Sequence, residues 1–239
     1  EPFMIADIDN LYSQVCSCDS AWERIDAYDV KRRVKADGFG FENIDILGNS
    51  IYVSYEKGSF DPGSMKLSGR NYGGFGVKYP LGAYNCFVLR YEFEFIGAFS
   101  YALGGKLHGI YGGVAGSGGV RSDGYNGFSL RLIWDENGKI YPYVYHVGMG
   151  EWGSKIGNGF FADHGVNKVQ IAISLNNEND FFSFIINDKY YEKDKLSFSK
   201  SKIPINGIFF STFYGGNSEK FGARDSEKIK FGNFLYKGC

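Results

Sequence analysis

The sequence predicts an all-β protein, a jelly-roll sandwich of two antiparallel sheets in which one sheet curves into an open groove. Three observations support this prediction. From residue 37 onward, short segments with strand patterns alternate with Gly-rich turns. Phe, Trp and Tyr make up 18% of the residues, and aromatic side chains favour strands. After residue 32, no run with helical periodicity extends beyond a few turns.

The predicted elements begin with a short helical segment near the N-terminus. Residues 1–32 have the weakest strand pattern, and residues 19–24 offer Asp and Ser as helix caps. The clearest strand covers residues 87–95, where apolar side chains alternate with mostly charged ones. Further strands are predicted at four segments, residues 51–55, 169–175, 181–186 and 208–214.

The chain is expected to form one domain over residues 1–239. This length suits a single β-domain, and no linker or shift in composition divides it. The formal net charge is -1, so the sequence lacks the basic excess of nucleic-acid-binding proteins. No apolar run is long enough to cross a membrane, and no signal-peptide pattern precedes the fold. We therefore expect neither a nucleic acid nor a membrane as a partner.

The sequence contains four cysteines, Cys16, Cys18, Cys86 and Cys239. Cys16 and Cys18 are too close together to bridge each other easily, and the other pairings stay open. A bridge between the N-terminal region and a distant cysteine would suit a secreted protein. One Cys-Ser-Cys motif without a second pair or a nearby histidine is not a zinc site, so we expect no metal.

A hairpin in the middle of the chain carries the most informative residues. Its predicted strands are residues 127–134 and 139–146, and the Asn-Gly turn between them is a strong hairpin signal. In the first strand, Ser129 and Arg131 alternate with apolar residues that belong in the core. Ser129 and Arg131 are therefore expected to face away from the core.

The second strand of this hairpin adds two tyrosines. If Tyr143 and Tyr145 point the same way as Ser129 and Arg131, the four side chains form one patch on adjacent strands. Lys106 follows two glycines and is expected to lean over this patch. The patch has no pair of carboxylates, which glycosidases place on both sides of the bond that they break.

These residue types suit β-elimination on a uronic-acid polymer. The proton at C5 of the sugar, beside the carboxylate, has to be removed, and a cation such as Arg131 or Lys106 stabilises the negative charge that develops. A Tyr or Lys side chain can take that proton, and a Tyr can protonate the leaving oxygen. Nearby positive charge favours the phenolate form of a tyrosine. The sequence leaves open which of Lys106, Tyr143 and Tyr145 is the base and which is the acid.

Four segments resemble a known enzyme family. Residues 104–113, Gly-Gly-Lys-Leu-His-Gly-Ile-Tyr-Gly-Gly, are similar to the Gly-Gly-Lys-Leu-Pro-Gly-Leu-Tyr-Gly-Gly motif of jelly-roll polyuronate lyases. Ser-Leu-Arg at 129–131, Tyr-Val-Tyr at 143–145 and the segment 210–216 resemble polysaccharide lyase family 14. That family includes alginate lyases of marine molluscs and a chlorella-virus enzyme that acts on a glucuronate-containing polymer. Glucuronan lyases of family 20 share the fold and the Lys-containing motif.

The resemblance implies a cofactor-free lyase that cleaves polyglucuronate or alginate by β-elimination and leaves 4,5-unsaturated uronate ends. It assigns catalysis to four residues, Lys106, Arg131, Tyr143 and Tyr145, and substrate binding to Ser129. His108 stands where the family usually has Pro, and it is a candidate for a further substrate contact. The expected partner is an acidic polysaccharide. We expect a monomer that is extracellular or associated with a virion.

Two other functions stay open at this point. A non-catalytic carbohydrate-binding module with the same fold would also expose aromatic residues, but it would not need Lys106, Arg131 and the paired tyrosines together. A glycosidase would need two carboxylates at hydrolase spacing, and Glu92 and Glu94 are too close together to provide them. Near the patch, the Gly-rich loop (residues 112–124) is interpreted as a flap over the groove.

Overall fold

Two antiparallel β-sheets pack face to face in the computed structural model, which describes residues 16, 18–67, 73–114, 116–176 and 179–239. This arrangement confirms the predicted all-β sandwich. Neither α-helix in this part of the chain is long and apolar enough to cross a membrane.

The elements follow one another along the described chain as two α-helices, fifteen strands and two short 3-10 turns. In order they are β1 (Glu23–Arg24), α1 (Ala27–Asp37), a 3-10 turn (Phe41–Asn43), β2 (Ile44–Leu47), β3 (Ser50–Tyr55), α2 (Pro62–Leu67), β4 (Phe75–Tyr84), β5 (Cys86–Phe95), β6 (Gly105–Gly113), β7 (Gly127–Trp134), β8 (Lys139–Tyr145), β9 (Ser154–Lys155), β10 (Phe160–Phe161), β11 (Asn167–Ser174), β12 (Asp180–Ile186), β13 (Lys189–Leu196), β14 (Ile205–Tyr214), a 3-10 turn (Glu219–Phe221) and β15 (Glu227–Gly238).

The strands divide into two sheets. Sheet A has the order β13-β12-β11-β5-β15-β3-β2, with β1 beside β15. Sheet B has the order β10-β8-β7-β6-β14-β4, with β9 beside β8. The inner faces enclose a core rich in aromatic side chains, including Tyr55, Tyr91, Phe93, Phe128 and Trp134. Burial of such large apolar surfaces is the main force that holds the two sheets together.

The strand predictions are confirmed, with small differences at the ends. The segments predicted from alternation correspond to β3, β5, β11, β12 and β14, and the predicted hairpin corresponds to β7 and β8. A tight turn follows β12, and Asn187 adopts a positive φ of 56° there. Asn tolerates this left-handed conformation better than most residues, which explains why it starts this tight turn.

The helix predicted for residues 19–24 is wrong. Glu23–Arg24 instead forms β1, which pairs with β15 of sheet A. The helix α1 starts later because Asp26 provides the cap, and its side chain accepts a hydrogen bond of 2.8 Å from the backbone N–H of Tyr28. Val30 and Val34 are one turn apart on this helix and both are buried against the core.

Two disulfide bonds connect the termini to sheet A. Cys16 pairs with Cys86, and Cys18 pairs with Cys239. Each pair has a Cα–Cα distance of 5.7 Å, which lies in the usual range for a disulfide. The structure thus selects one of the pairings that the sequence left open. Both bridges lie on sheet A, whereas the residues predicted to be functional lie on sheet B.

Candidate active site

A cleft of about 990 Å³ lies over the face of sheet B that points away from the core. Side chains from β6, β7, β8 and β14 form its floor, and α2, the Gly-rich loop and the loop that carries Trp152 contribute to its walls. This cleft is the open groove that the sequence predicts.

Strand register brings the predicted catalytic side chains to this floor. Arg131 on β7 lies directly opposite Tyr143 on β8. Lys106 on β6 lies opposite Ile133, two residues from Arg131, so both cationic side chains point to the same face. Because side chains alternate along a strand, Tyr145 shares this face with Tyr143. The structure therefore brings together the four residues that were assigned to catalysis.

The two cations and the two tyrosines are in direct contact. Nζ of Lys106 lies 4.6 Å from the ring centroid of Tyr143. Cζ of Arg131 lies 5.5 Å from the same centroid and 5.7 Å from that of Tyr145. The two tyrosine rings meet edge to face with their centroids 5.8 Å apart. Cation–π contacts of this kind hold the charged groups beside the rings.

Arg131 is a buried cation that forms no salt bridge with the residues that the structure describes. Only 2% of the residue is exposed, and no carboxylate of the described residues lies within 4.0 Å of it. Nη1 donates a hydrogen bond of 3.1 Å to Oγ of Ser211, and Nη2 donates one of 3.5 Å to the carbonyl oxygen of Gly116. A buried, unpaired charge is costly, and such residues often mark functional sites. This arrangement suits binding of an anionic ligand group.

The amine of Lys106 loses its proton more easily than an ordinary lysine. Burial and the positive charge of Arg131 lower its pKa to about 7, while the carboxylate of Asp61 opposes this effect. A substantial fraction of Lys106 is therefore neutral near pH 7, and this form can accept a proton.

Tyr143 has the opposite tendency. Burial and the neighbouring Tyr145 raise its pKa to about 12, although Arg131 lowers it in part. Its phenol is therefore protonated at neutral pH and can donate a proton. Lys106 and Tyr143 thus form an adjacent pair in which the lysine can accept a proton and the tyrosine can donate one.

Ser129 is buried under the Gly-rich loop and does not line the cleft. Its hydroxyl donates a hydrogen bond of 2.6 Å to the carbonyl oxygen of Gly116, the same oxygen that Arg131 contacts. The predicted role in substrate binding is therefore corrected. Ser129 fixes the loop that covers Arg131, and the loop rather than the serine hydroxyl faces the cleft.

The sequence prediction that His108 contacts the substrate is wrong. Its side chain is fully buried, and its ring packs in the core against Phe75, Phe210 and Phe231. The cause is a β-bulge, because the register of β6 against β7 shifts between Leu107 and Ile110. The extra residue breaks the alternation after Lys106, so Leu107 and His108 both face the core. His108 is not a substrate contact.

Several cleft residues are missed by sequence reasoning. Asp61 lies in the cleft wall just before α2, and its side chain accepts hydrogen bonds from the backbone N–H and hydroxyl of Ser64. Ser211 lies on the floor beside Arg131. An Asp-Pro pair is an ordinary turn signal, and the sequence contains nothing that places this turn near β6. Trp152 also lines the cleft and is 49% exposed.

Among the residues that the structure describes, no three His, Cys, Asp or Glu side chains are grouped so that they could hold a metal ion.

Solved structures of lyases have the same fold. The marine PL-14 alginate lyase from Aplysia kurodai has a TM-score of 0.72 and 22% sequence identity, over 84% of this chain and 89% of that chain. The alginate lyase vAL-1 from Chlorella virus has a TM-score of 0.65 and 21% identity, over 82% and 88%. A variant of alginate lyase Aly36B in complex with alginate tetrasaccharide has a TM-score of 0.74 and 18% identity, over 92% and 94%. Among curated protein sequences, none matches this chain at a significant level.

The family comparison covers both the fold and the site. Residues 45–234 match the model of the family described as Polysaccharide lyase 14. This range is most of the chain and includes all six predicted site residues on β6, β7 and β8. The resemblance inferred from the sequence motifs is therefore confirmed. The chain belongs to the polysaccharide lyase 14 family, and its activity is that of a polysaccharide lyase.

Proposed function

We propose that this lyase cleaves alginate by β-elimination, with Arg131 binding the uronate carboxylate, Lys106 acting as the base and Tyr143 acting as the acid. One observation carries the proposal: the buried guanidinium of Arg131, with no carboxylate of the described residues within 4.0 Å, lies beside the ring of Tyr143, and the amine of Lys106 lies over the same ring. This set matches the three tasks of the reaction and contains no pair of carboxylates for hydrolysis.

The first task is to stabilise negative charge on the substrate. Removal of the C5 proton moves electron density into the neighbouring carboxylate. A guanidinium at that carboxylate stabilises the developing charge more strongly than it stabilises the substrate. Arg131 suits this task because hydrogen bonds to Ser211 and Gly116 already fix its orientation.

The second and third tasks are the two proton transfers. The neutral amine of Lys106 takes the proton from C5, the C4–C5 double bond forms, and the bond between C4 and the glycosidic oxygen breaks. Tyr143 donates its proton to that leaving oxygen. The step leaves a protonated Lys106 and a phenolate on Tyr143, and a return of the proton from the amine to the phenolate restores both groups. Nζ of Lys106 lies 4.6 Å from the ring centroid of Tyr143, so the two groups are neighbours in the cleft.

The choice of alginate rests on the similar structures. All three are alginate lyases, and one of them holds an alginate tetrasaccharide. Polyglucuronate is the competing polymer, because the same reaction works on any 4-linked uronate and the two polymers differ in sugar stereochemistry.

Product analysis tests this proposal. The protein is incubated separately with alginate and with glucuronan, and the ultraviolet absorbance of the 4,5-unsaturated uronate is followed. A faster rise with alginate supports the proposal, and a faster rise with glucuronan overturns the choice of polymer. If wild-type protein binds the polymers but produces no absorbance with either, it acts as a carbohydrate-binding module instead.

An extracellular location is part of the same proposal. Two disulfide bonds connect segments that are 70 and 221 residues apart. Such bonds form and persist mainly in oxidising compartments outside the cytosol. A virion-associated location and a monomeric state stay predictions.

A further inference from the structure

Besides Arg131 and Lys106, a third cation, Lys78, lies on the groove face of sheet B, next to the residues that line the cleft. Lys78 lies on β4, the edge strand of sheet B, directly opposite Phe209 of β14. Its Nζ lies 5.6 Å from the ring centroid of Phe209 and 5.3 Å from that of Tyr111. The amine is therefore held above aromatic rings on the groove face of the sheet, as Lys106 is.

Phe209 connects this third cation to the proposed catalytic site. Cζ of Arg131 lies 4.8 Å from the ring centroid of Phe209, the ring that Lys78 also contacts. Tyr143, Arg131, Phe209 and Lys78 thus form a row of alternating aromatic and cationic side chains across sheet B. A linear polymer that crosses the strands along this row meets both cations.

Lys78 has no acidic partner in the part of the chain that the structure describes. No carboxylate there lies within 4.0 Å of its Nζ, which donates one hydrogen bond of 2.9 Å to the carbonyl oxygen of Val114. Partial burial and the charge of Arg131 lower its pKa. Two like charges near one ring repel each other, and anionic groups bound at both positions would remove this cost.

We propose that Lys78 binds the carboxylate of a second sugar unit, farther along the polymer than the unit whose carboxylate Arg131 holds. This inference rests on the proposed function and narrows its substrate class. A chain with acidic sugars in an uninterrupted run satisfies both cations. A chain in which neutral sugars separate the uronates satisfies only one of them, and it binds more weakly.

A structural role for Lys78 is the main competing explanation. Its hydrogen bond to Val114 connects β4 to the start of the Gly-rich loop, and this loop also contacts Arg131 through Gly116. Two variants separate these roles. Lys78→Gln removes the charge but keeps an N–H donor for Val114, on a side chain that is one bond shorter. Lys78→Met removes both the charge and the donor.

The experiment measures kcat and KM on a polyuronate for both variants, with Lys78→Arg as the conservative change. Lys168→Gln serves as the control because Lys168 is exposed on β11 of sheet A. We expect KM to rise about tenfold in both Lys78→Gln and Lys78→Met, since a charge-assisted hydrogen bond is lost. We expect kcat of Lys78→Gln and Lys78→Met to stay within about twofold of the wild-type value. The KM of Lys78→Arg should stay near that of wild type. In Lys78→Gln, KM should depend less on salt concentration than it does in wild type.

Other results overturn the inference. If Lys78→Gln behaves like wild type and only Lys78→Met is impaired, Lys78 anchors the loop. An equal rise of KM in Lys168→Gln would show that the net charge of the protein causes the effect and that Lys78 has no specific role in binding. If the wild-type protein proves inactive, the proposed function fails, and calorimetric titration with a uronate oligosaccharide decides the role of Lys78 alone. Weaker binding by Lys78→Gln then supports the inference, and unchanged affinity overturns it.

Discussion

The backbone N–H of Ser211 donates a hydrogen bond of 2.8 Å to Nδ1 of His108, whose ring lies in the core. The hydroxyl of the same serine accepts a hydrogen bond from Arg131 on the floor of the cleft. Burial lowers the pKa of His108 to about 3, so its ring is neutral at ordinary pH and Nδ1 can accept. His108 is therefore connected to Arg131 through Ser211, and we expect it to position the guanidinium although its ring is buried in the core.

Replacement of His108 tests this positioning role. His108→Leu leaves the N–H of Ser211 buried without an acceptor, which should lower the free energy of unfolding by about 1–3 kcal/mol. We also expect kcat to fall, because Ser211 no longer holds Arg131 in place. His108→Gln offers a carbonyl acceptor and should recover part of both losses. Urea unfolding and steady-state kinetics measure the two effects, and a shifted pH profile in His108→Leu would argue against a purely positioning role.

Arg131→Ala should remove activity without unfolding the protein. Loss of a group that stabilises charge in the transition state lowers kcat/KM by about 100- to 1,000-fold. The fold is expected to survive because the guanidinium lies on the groove face of sheet B, where it has no acidic partner among the described residues. Kinetics and thermal unfolding test both parts, with the exposed Arg224 replaced by Ala as the control. An unfolded Arg131→Ala protein would contradict the prediction.

Activity should increase with pH through about 7. The protonated amine of Lys106 cannot accept a proton, so turnover is lost as pH falls through the pKa of this group. Since the carboxylate of Asp61 raises that pKa, Asp61→Asn should move the acidic limb of the profile to lower pH. Asp45→Asn, at an exposed position on β2, is the control. A limb that stays in place in Asp61→Asn would exclude Lys106 as the titrating base.

The space beside the two tyrosines depends on Gly153. A Cβ atom at this position would lie 2.6 Å from the ring of Tyr143 and 2.7 Å from the ring of Tyr145. Gly153→Ala should therefore displace the rings and lower kcat by about tenfold or more, since small misplacement of catalytic groups is costly. Gly150→Ala is a matched control in the same loop, because a Cβ there meets nothing within 4 Å. Equal activity of both variants would show that the ring positions are not critical.

The disulfide between Cys18 and Cys239 should contribute to stability but not to catalysis. It closes a separation of 221 residues, and its loss is expected to cost about 2–4 kcal/mol of unfolding free energy. The double replacement of both cysteines by Ser removes the bond without leaving a free thiol at either position. Below its lowered melting temperature, the variant should keep the wild-type kcat, and a fall in kcat would show coupling between sheet A and the cleft.

The alternation of the central hairpin predicts the part of the cleft floor that β7 and β8 form. Ser129 and Arg131 alternate with residues of the core, and the register of β7 and β8 then fixes which tyrosines share their face. The same rule fails on β6, because the bulge after Leu107 turns His108 inward. Gly109 stands at this bulge, but β6 contains several glycines, and the sequence does not show which of them marks a bulge.

Other features depend on contacts between distant parts of the chain. Asp61 reaches the cleft only because the segment before α2 lies near sheet B, and strand patterns do not predict this proximity. The side chain of Ser129 lies on the same face of β7 as that of Arg131, but the Gly-rich loop covers it. The sequence does not determine the path of this loop. Pairing of Glu23–Arg24 with β15 likewise replaces the helix that local capping residues favour.

The central claim is that bonds are cleaved by elimination. The most direct measurement counts new reducing ends and new 4,5-unsaturated uronate ends in one digest of alginate by the wild-type protein. We expect equal numbers of the two, because each elimination creates one of each. Reducing ends that form without unsaturated ends would show hydrolysis and would contradict the roles proposed for Arg131, Lys106 and Tyr143.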